Sequence, residues 1–141
     1  MRFANGIANF IFKNNGGLLM IDYGFTSGKM KNTLQSVEKH RKISFLKNPY
    51  NSDITHLINF NMYMKEFAKS NLKSLMTTQG NFLMKLGILK RAEIISKNLQ
   101  FSKKADIFYR VRRLINEKYM GSLFKVLFVC KSKNNFNLGF K

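Results

Sequence analysis

Leu18-Leu19-Met20-Ile21-Asp22-Tyr23-Gly24 is the stretch on which the fold of this chain turns. Its four consecutive apolar residues are bounded by Gly16-Gly17 on one side and Asp22-Tyr23-Gly24 on the other. That pattern predicts a strand buried on both faces, as in a parallel sheet covered by helices. In open α/β sheets ligands bind beyond the carboxyl ends of strands, which makes Asp22 and Tyr23 the first candidates for a site. A strand-end Asp also commonly caps the turn that follows, and the residues alone leave both readings open.

Upstream of this strand, Met1 to Gly17 carries Arg2 and Lys13, no acid, and Phe3, Ile7, Phe10 and Ile11 at helical spacing. The segment reads as a short amphipathic helix lying on one face of the sheet, entered near Asn5 and ended by Gly16-Gly17. A mitochondrial transit peptide is the alternative, although such peptides are richer in Arg and Ser.

Downstream, Phe25 to Ser52 reads as a long polar loop with one helical piece, Thr33 to Lys39, and the chain's one proline, Pro49. Loops of this length are often lids or binding loops, and its two notable side chains are His40 and Arg41. Leu57, Ile58, Phe60, Met64, Phe67 and Ala68 then predict an amphipathic helix, with Asp53 or Thr55 as its N-cap. Leu72 to Thr78 is a second strand, followed by a helix carrying Phe82, Leu83, Leu86 and Ile88. A further helix spans Lys103 to Glu117, its apolar face made by Ala105, Ile107, Phe108, Val111, Leu114 and Ile115. The last strand runs from Leu123 to Val129, and Lys131 to Lys141 is a polar basic tail with no evident core role.

At 141 residues, 45% hydrophobic and with fourteen Phe, the chain has the apolar material for one folded core. Lys and Arg number 25 against 7 Asp and Glu, a formal net charge of +18. Such an excess suits a polyanionic partner, yet the cations are spread in ones and twos along the chain, as compositional drift would leave them. The densest patch is Lys103-Lys104 through Arg110, Arg112 and Arg113. A single cysteine, Cys130, excludes an intramolecular disulfide and any cysteine-cluster zinc site. No run approaches the ~18 to 20 apolar residues a membrane span needs. G-x-S-x-G and P-loop motifs are absent, and His40 and His56 make only a weak metal pair.

Five phrases in fixed order carry a family resemblance: the Leu18–Gly24 strand, Thr33-Leu34-Gln35 with His40, Asp53-Ile54-Thr55, Thr77-Thr78-Gln79 leading into Phe82-Leu83, and Met120-Gly121-Ser122-Leu123-Phe124-Lys125-Val126-Leu127. Gly87 and Arg91 add a glycine with an arginine four residues later. From about Gly17 to Val129 the chain resembles the C-terminal third of the MidA-like S-adenosylmethionine-dependent methyltransferases, whose mitochondrial members methylate an arginine of a respiratory complex I subunit. One departure stands out: where the family pattern has an aliphatic residue, an acid and Phe, this chain has Ile58-Asn59-Phe60.

The resemblance implies an α/β fold, the C-terminal portion of a class I (Rossmann-like) methyltransferase sheet, with about three strands, helical insertions and the last strand antiparallel between the other two. Residues 1–130 would form that segment and 131–141 the tail. Asp22 and Tyr23 would be catalytic, with His40, Asp53, Thr55 and Gln79 on the substrate side. S-adenosylmethionine is the cofactor of the complete family enzyme. Its glycine-rich loop after a first strand does not occur here, since Gly16-Gly17 precedes a strand and Gly24 with Gly28 lacks the strand-turn-helix setting. This chain alone is therefore expected to bind no cofactor and to need an N-terminal half encoded upstream. Its partner would be a protein substrate, in the bacterial cytoplasm or the mitochondrial matrix. A non-catalytic remnant or interaction module is the alternative function, and a basic nucleic-acid-binding protein the second alternative, without an RNA-module pattern to support it.

Overall fold

A computed structural model describes residues 2–27 and 32–141; Gly28 of the sequence reading lies outside them. The chain opens with α1 (Arg2–Asn14) and β1 (Gly17–Phe25), continues through three short strands, β2 (Gln35–Glu38), β3 (Arg41–Ile43) and β4 (Asp53–Thr55), and reaches β5 (Ile58–Asn59). There follow α2 (Phe60–Ala68), β6 (Leu72–Thr78), α3 (Gln79–Lys85), α4 (Ile88–Ser96), α5 (Phe101–Ile115), α6 (Met120–Leu123) and β7 (Phe124–Lys131).

The three strands expected from the sequence are adjacent members of a four-stranded sheet in the order β5-β1-β7-β6. The last strand in the chain, β7, lies between β1 and β6 and is antiparallel to both, so the mixed α/β topology anticipated above is the one observed. Leu18 pairs with Val129 and Ile21 with Val126 across β1 and β7. On the other edge of β1, pairing among the described residues is confined to Gly24 and Phe25, which meet Ile58 and Asn59 in parallel.

Alternation along the strands gives the sheet two distinct faces. One carries Leu18, Met20, Leu127, Val129 and Met76, packed against Ala4, Ala8 and Ile11 of α1 and Phe60 and Phe67 of α2. The stripe that α1 buries is thus made by two alanines and Ile11, whereas Phe3 and Phe10, read from the sequence as its apolar face, are exposed. On the opposite face the ring of Phe128 packs against Phe136 and Phe140 at 4.9 and 6.3 Å between centroids. The residues after β7 therefore fold back over the sheet, a core role that their polar composition concealed. That cover stops short of β1, where Leu19 and Ile21 stay 50% and 47% exposed. Burial of β1 on both faces is accordingly not met.

Three other expectations change. Thr33 to Lys39 holds a strand, Gln35–Glu38, rather than a helix, because Ser36, Val37 and Glu38 pair with Ile43, Lys42 and Arg41 in a hairpin and β4 adds to the other side of β2. Its two-residue turn, Lys39-His40, has φ of 47° and 64°, the positive values of a type I′ turn. Helix α2 starts at Phe60, later than Leu57, and its N-cap is Asn59, whose Oδ1 accepts from the Met62 N–H at 3.3 Å; Asp53 and Thr55 belong to β4. Finally, the helix expected through Phe82 to Ile88 breaks at Gly87, whose φ of 79° is a left-handed value that glycine adopts without a Cβ penalty.

Candidate functional site

The carboxyl ends of β1 and β6 lie on the same side of the sheet, because both strands are antiparallel to β7. Asp22 there faces Lys125, Lys125 faces Thr78, and Tyr23 faces Phe124 in the next pair. Asp22 Oδ1 accepts the Tyr23 N–H at 2.8 Å, which holds the carboxylate against its own strand. The Tyr23 ring meets Phe124 edge-on, with centroids 5.4 Å apart. Lys125 Nζ donates to the Ser122 carbonyl, and burial holds its ammonium below the usual lysine range.

At the same end of β1 a cavity of about 400 Å³ opens between Phe25, Thr33, Leu34, Leu57 and Met62, with His56 and Asn59 as polar elements of its wall. Two ties shape it. Phe25 pairs with Asn59, and the Leu57 N–H donates to Thr33 Oγ1 at 3.0 Å across 24 residues of chain. His56 Nδ1 lies 3.1 Å from the Leu57 carbonyl; the Nδ1–H tautomer donates there and leaves Nε2 as the acceptor. Sequence reasoning set His56 aside, although it directly follows the Asp53-Ile54-Thr55 phrase, and it assigned nothing to the Asn59 cap. The signal available for Asn59 was its residue type immediately before an apolar-periodic run.

The sequence-derived candidates fall into three places. Asp22 and Tyr23 are neighbours within β1, which runs two residues beyond the strand end read from the sequence, to Phe25. Asp53 and Thr55 lie on β4, opposite Val37 and Gln35, while His40 occupies the exposed hairpin tip. Gln79 is buried at the start of α3, where its Nε2 donates to the Leu114 carbonyl at 2.9 Å and ties α3 to α5. Thr78 caps that helix, accepting from the Asn81 N–H at 3.4 Å. Among the described residues no three His, Cys, Asp or Glu side chains group as metal ligands, and no helix is long and apolar enough to cross a membrane.

The cofactor implied by the resemblance needs a glycine turn between a strand and a helix, open to close approach by its methionine and ribose parts. The described glycines do not offer one. A Cβ on Gly24 would run into the Ile58 carbonyl and the Phe60 ring, one on Gly121 would strike the Ile115 carbonyl, and Gly87, which is open, follows a helix. None of these three glycines supplies that turn.

Comparison with known proteins agrees with the topology. Residues 1–78 match the model of a family described as "Putative S-adenosyl-L-methionine-dependent methyltransferase". Over 120 residues the chain is 28% identical to protein arginine methyltransferase NDUFAF7, mitochondrial, of Danio rerio and 27% identical to its namesake in Xenopus tropicalis. These matches take in 84% of this chain and 28% of each relative. A crystal structure of an uncharacterized Burkholderia thailandensis protein superimposes with a TM-score of 0.82 at 26% identity, covering 99% of this chain and 38% of that one. A member of the same superfamily from Burkholderia thailandensis, bound to S-adenosyl-homocysteine, gives a TM-score of 0.76 at 25% identity, over 99% of this chain and 36% of the other. The chain thus spans little more than a quarter of the curated relatives it matches.

Proposed function

The chain belongs to the MidA-like family of S-adenosyl-L-methionine-dependent methyltransferases, and from that premise we propose that it is the C-terminal, substrate-side segment of a protein arginine methyltransferase that acts when a separate polypeptide supplies the cofactor-binding half. Residues 1–130 form the segment and 131–141 its closing tail. One observation carries the reading: β1 has a β7 partner from Gly17 to Tyr23, but on its other edge, among the described residues, a partner only at Gly24 and Phe25, which leaves Gly17 to Tyr23 able to receive another strand. The fit of nearly the whole chain into 36% of a relative bound to S-adenosyl-homocysteine points the same way.

In the assembled enzyme Asp22 and Tyr23 stand at the strand end where the substrate would meet the cofactor. A carboxylate at that place can hold a guanidinium and keep its nucleophilic nitrogen aligned, the contribution expected from positioning and charge-assisted hydrogen bonds. His40, Asp53 and Thr55 belong to the small sheet that would face the substrate protein, a respiratory complex I subunit by family likeness, in the bacterial cytoplasm or the mitochondrial matrix. Gln79 is assigned with them, although its amide already holds α5.

The test is co-expression with a cofactor-binding half translated from the reading frame upstream of Met1, followed by assay of methyl transfer from S-adenosylmethionine to protein arginine. Activity in the complex, with no micromolar cofactor binding to this chain alone by calorimetry, supports the reading. In that complex Asp22→Ala should reduce turnover more than it reduces thermal stability. Binding by the isolated chain, or absence of activity from a stable complex, overturns it.

A further inference from the structure

Helices α4 and α5 pack on each other as a hairpin, yet the two together bury only Ala92, Ser96 and Val111. At its turn the apolar side chains point into water: Ile94 is 64% exposed and Phe101 87%, with Ile95 and Leu99 exposed between them. Exposed apolar side chains in ones and twos are ordinary, but four within eight positions, from the end of α4 to the start of α5, form a patch. Lys97, Lys103 and Lys104 lie within and beside this stretch of chain, the first two exposed. From Ile88 to Ile115 eight cations face two carboxylates. Both carboxylates are already paired within the hairpin, Glu93 to Lys90 at 3.3 Å and Asp106 to Arg110 at 2.9 Å.

We propose that the α4–α5 turn is a docking surface for an anionic lipid bilayer, on which Ile94, Ile95, Leu99 and Phe101 insert into the headgroup region while the flanking lysines meet lipid phosphates. The occupant follows from the combination. Lysines alone would suit any polyanion, but a nucleic acid gives aliphatic side chains nothing to bury against, whereas a bilayer boundary takes an apolar tip and a cationic rim together. Neither helix reaches the length of a membrane span, so the turn would lie in the interface. The inference stands apart from the methyl-transfer reading, since it uses no residue of the β1 end.

A chain of net charge +18 adheres to anionic vesicles in any case, so the test separates insertion from adhesion. The chain has no Trp, and Phe101→Trp places a single reporter at the tip. With the full chain and vesicles of phosphatidylcholine containing about one-third phosphatidylglycerol, the emission should shift to the blue and be quenched by brominated acyl chains. Ile94→Ser combined with Leu99→Ser should weaken partitioning by roughly 10-fold, from the apolar area withheld. Lys97→Glu with Lys103→Glu should weaken it more than the matched reversal of two exposed lysines on α1 and α2, Lys13→Glu with Lys65→Glu. Unshifted emission on bound vesicles, equal losses from the two charge reversals, or retained binding by the serine variant would overturn the proposal. So would displacement of the chain from vesicles by RNA with the tip variants unaffected, which would assign the basic surface to nucleic acid.

Discussion

Asp22 of β1 and Lys125 of β7 are directly opposed residues in the antiparallel register, and Thr78 of β6 completes the row. The lysine is only partly solvated at this position: burial depresses its affinity for a proton, and its ammonium donates to the Ser122 carbonyl. A lysine whose folded pKa lies below its unfolded value costs stability wherever it is protonated in both states. That cost is fully present at pH values below the folded pKa and disappears as pH rises past it to the unfolded value. Lys125→Met should therefore unfold at a higher urea concentration than the parent chain near neutral pH, with the gap closing toward about pH 11. A gap that widens with pH would mean that the Ser122 contact outweighs desolvation.

Asn59 is the N-cap of α2 at the position where the family pattern carries an acid. Asn59→Ala removes the acceptor for the Met62 N–H and should cost about 1 kcal/mol by chemical denaturation. Asn59→Asp keeps the cap and places a negative charge at the helix N-terminus, which should recover that loss and add up to about 0.5 kcal/mol at low salt. If the two variants are equally unstable, the cap is not what Asn59 contributes, and its place in the cavity wall becomes the reason for its presence.

Gly24 closes β1 against β5, where a Cβ would collide with the Ile58 carbonyl and stand 2.7 Å from the Phe60 ring. Backbone and a fully buried aromatic cannot both yield cheaply, so Gly24→Ala should destabilise by roughly 2 kcal/mol or more. Hydrogen exchange should show the loss concentrated at Phe25, Ile58 and Asn59. Unchanged protection there, with normal stability, would mean that the β1–β5 pairing is not needed to hold the carboxyl end of the strand.

How far the sequence could be read follows from where each residue's partners lie. Leu18 to Ile21, Leu72 to Thr78 and the apolar run ending at Cys130 announce strands locally, because continuous burial writes itself into consecutive residues. The order β1-β7-β6 required the family resemblance, since nothing in a strand names its neighbour. The small sheet stayed hidden for a different reason: three of the four residues from Gln35 to Glu38 are polar, and its extended form depends on Ile43 and on Ile54, which lie several to nearly twenty residues away. For α1, Ala4 and Ala8 were overlooked in favour of Phe3 and Phe10, because close helix-to-sheet packing selects small residues that hydrophobicity ranks low. Asp22 was legible as a strand-end acid, whereas Lys125 became visible as its counterpart only once the register was known.

The Lys39-His40 turn offers a way to separate structure from function at a residue assigned to the substrate side. Both residues hold positive φ, 47° and 64°, in a two-residue hairpin loop where Asn-Gly is the preferred pair because neither residue is then strained. Lys39→Asn with His40→Gly should accordingly stabilise the chain by about 1 kcal/mol, seen as a higher melting temperature with unchanged circular dichroism. A non-glycine pair in such a turn is easiest to understand if the imidazole has a task that offsets the strain. In the reconstituted complex the same double variant should then raise KM for the protein substrate while leaving the stability gain intact. Full activity together with the gain would remove His40 from the substrate side and leave Asp53 and Thr55 as the residues of the small sheet to test next.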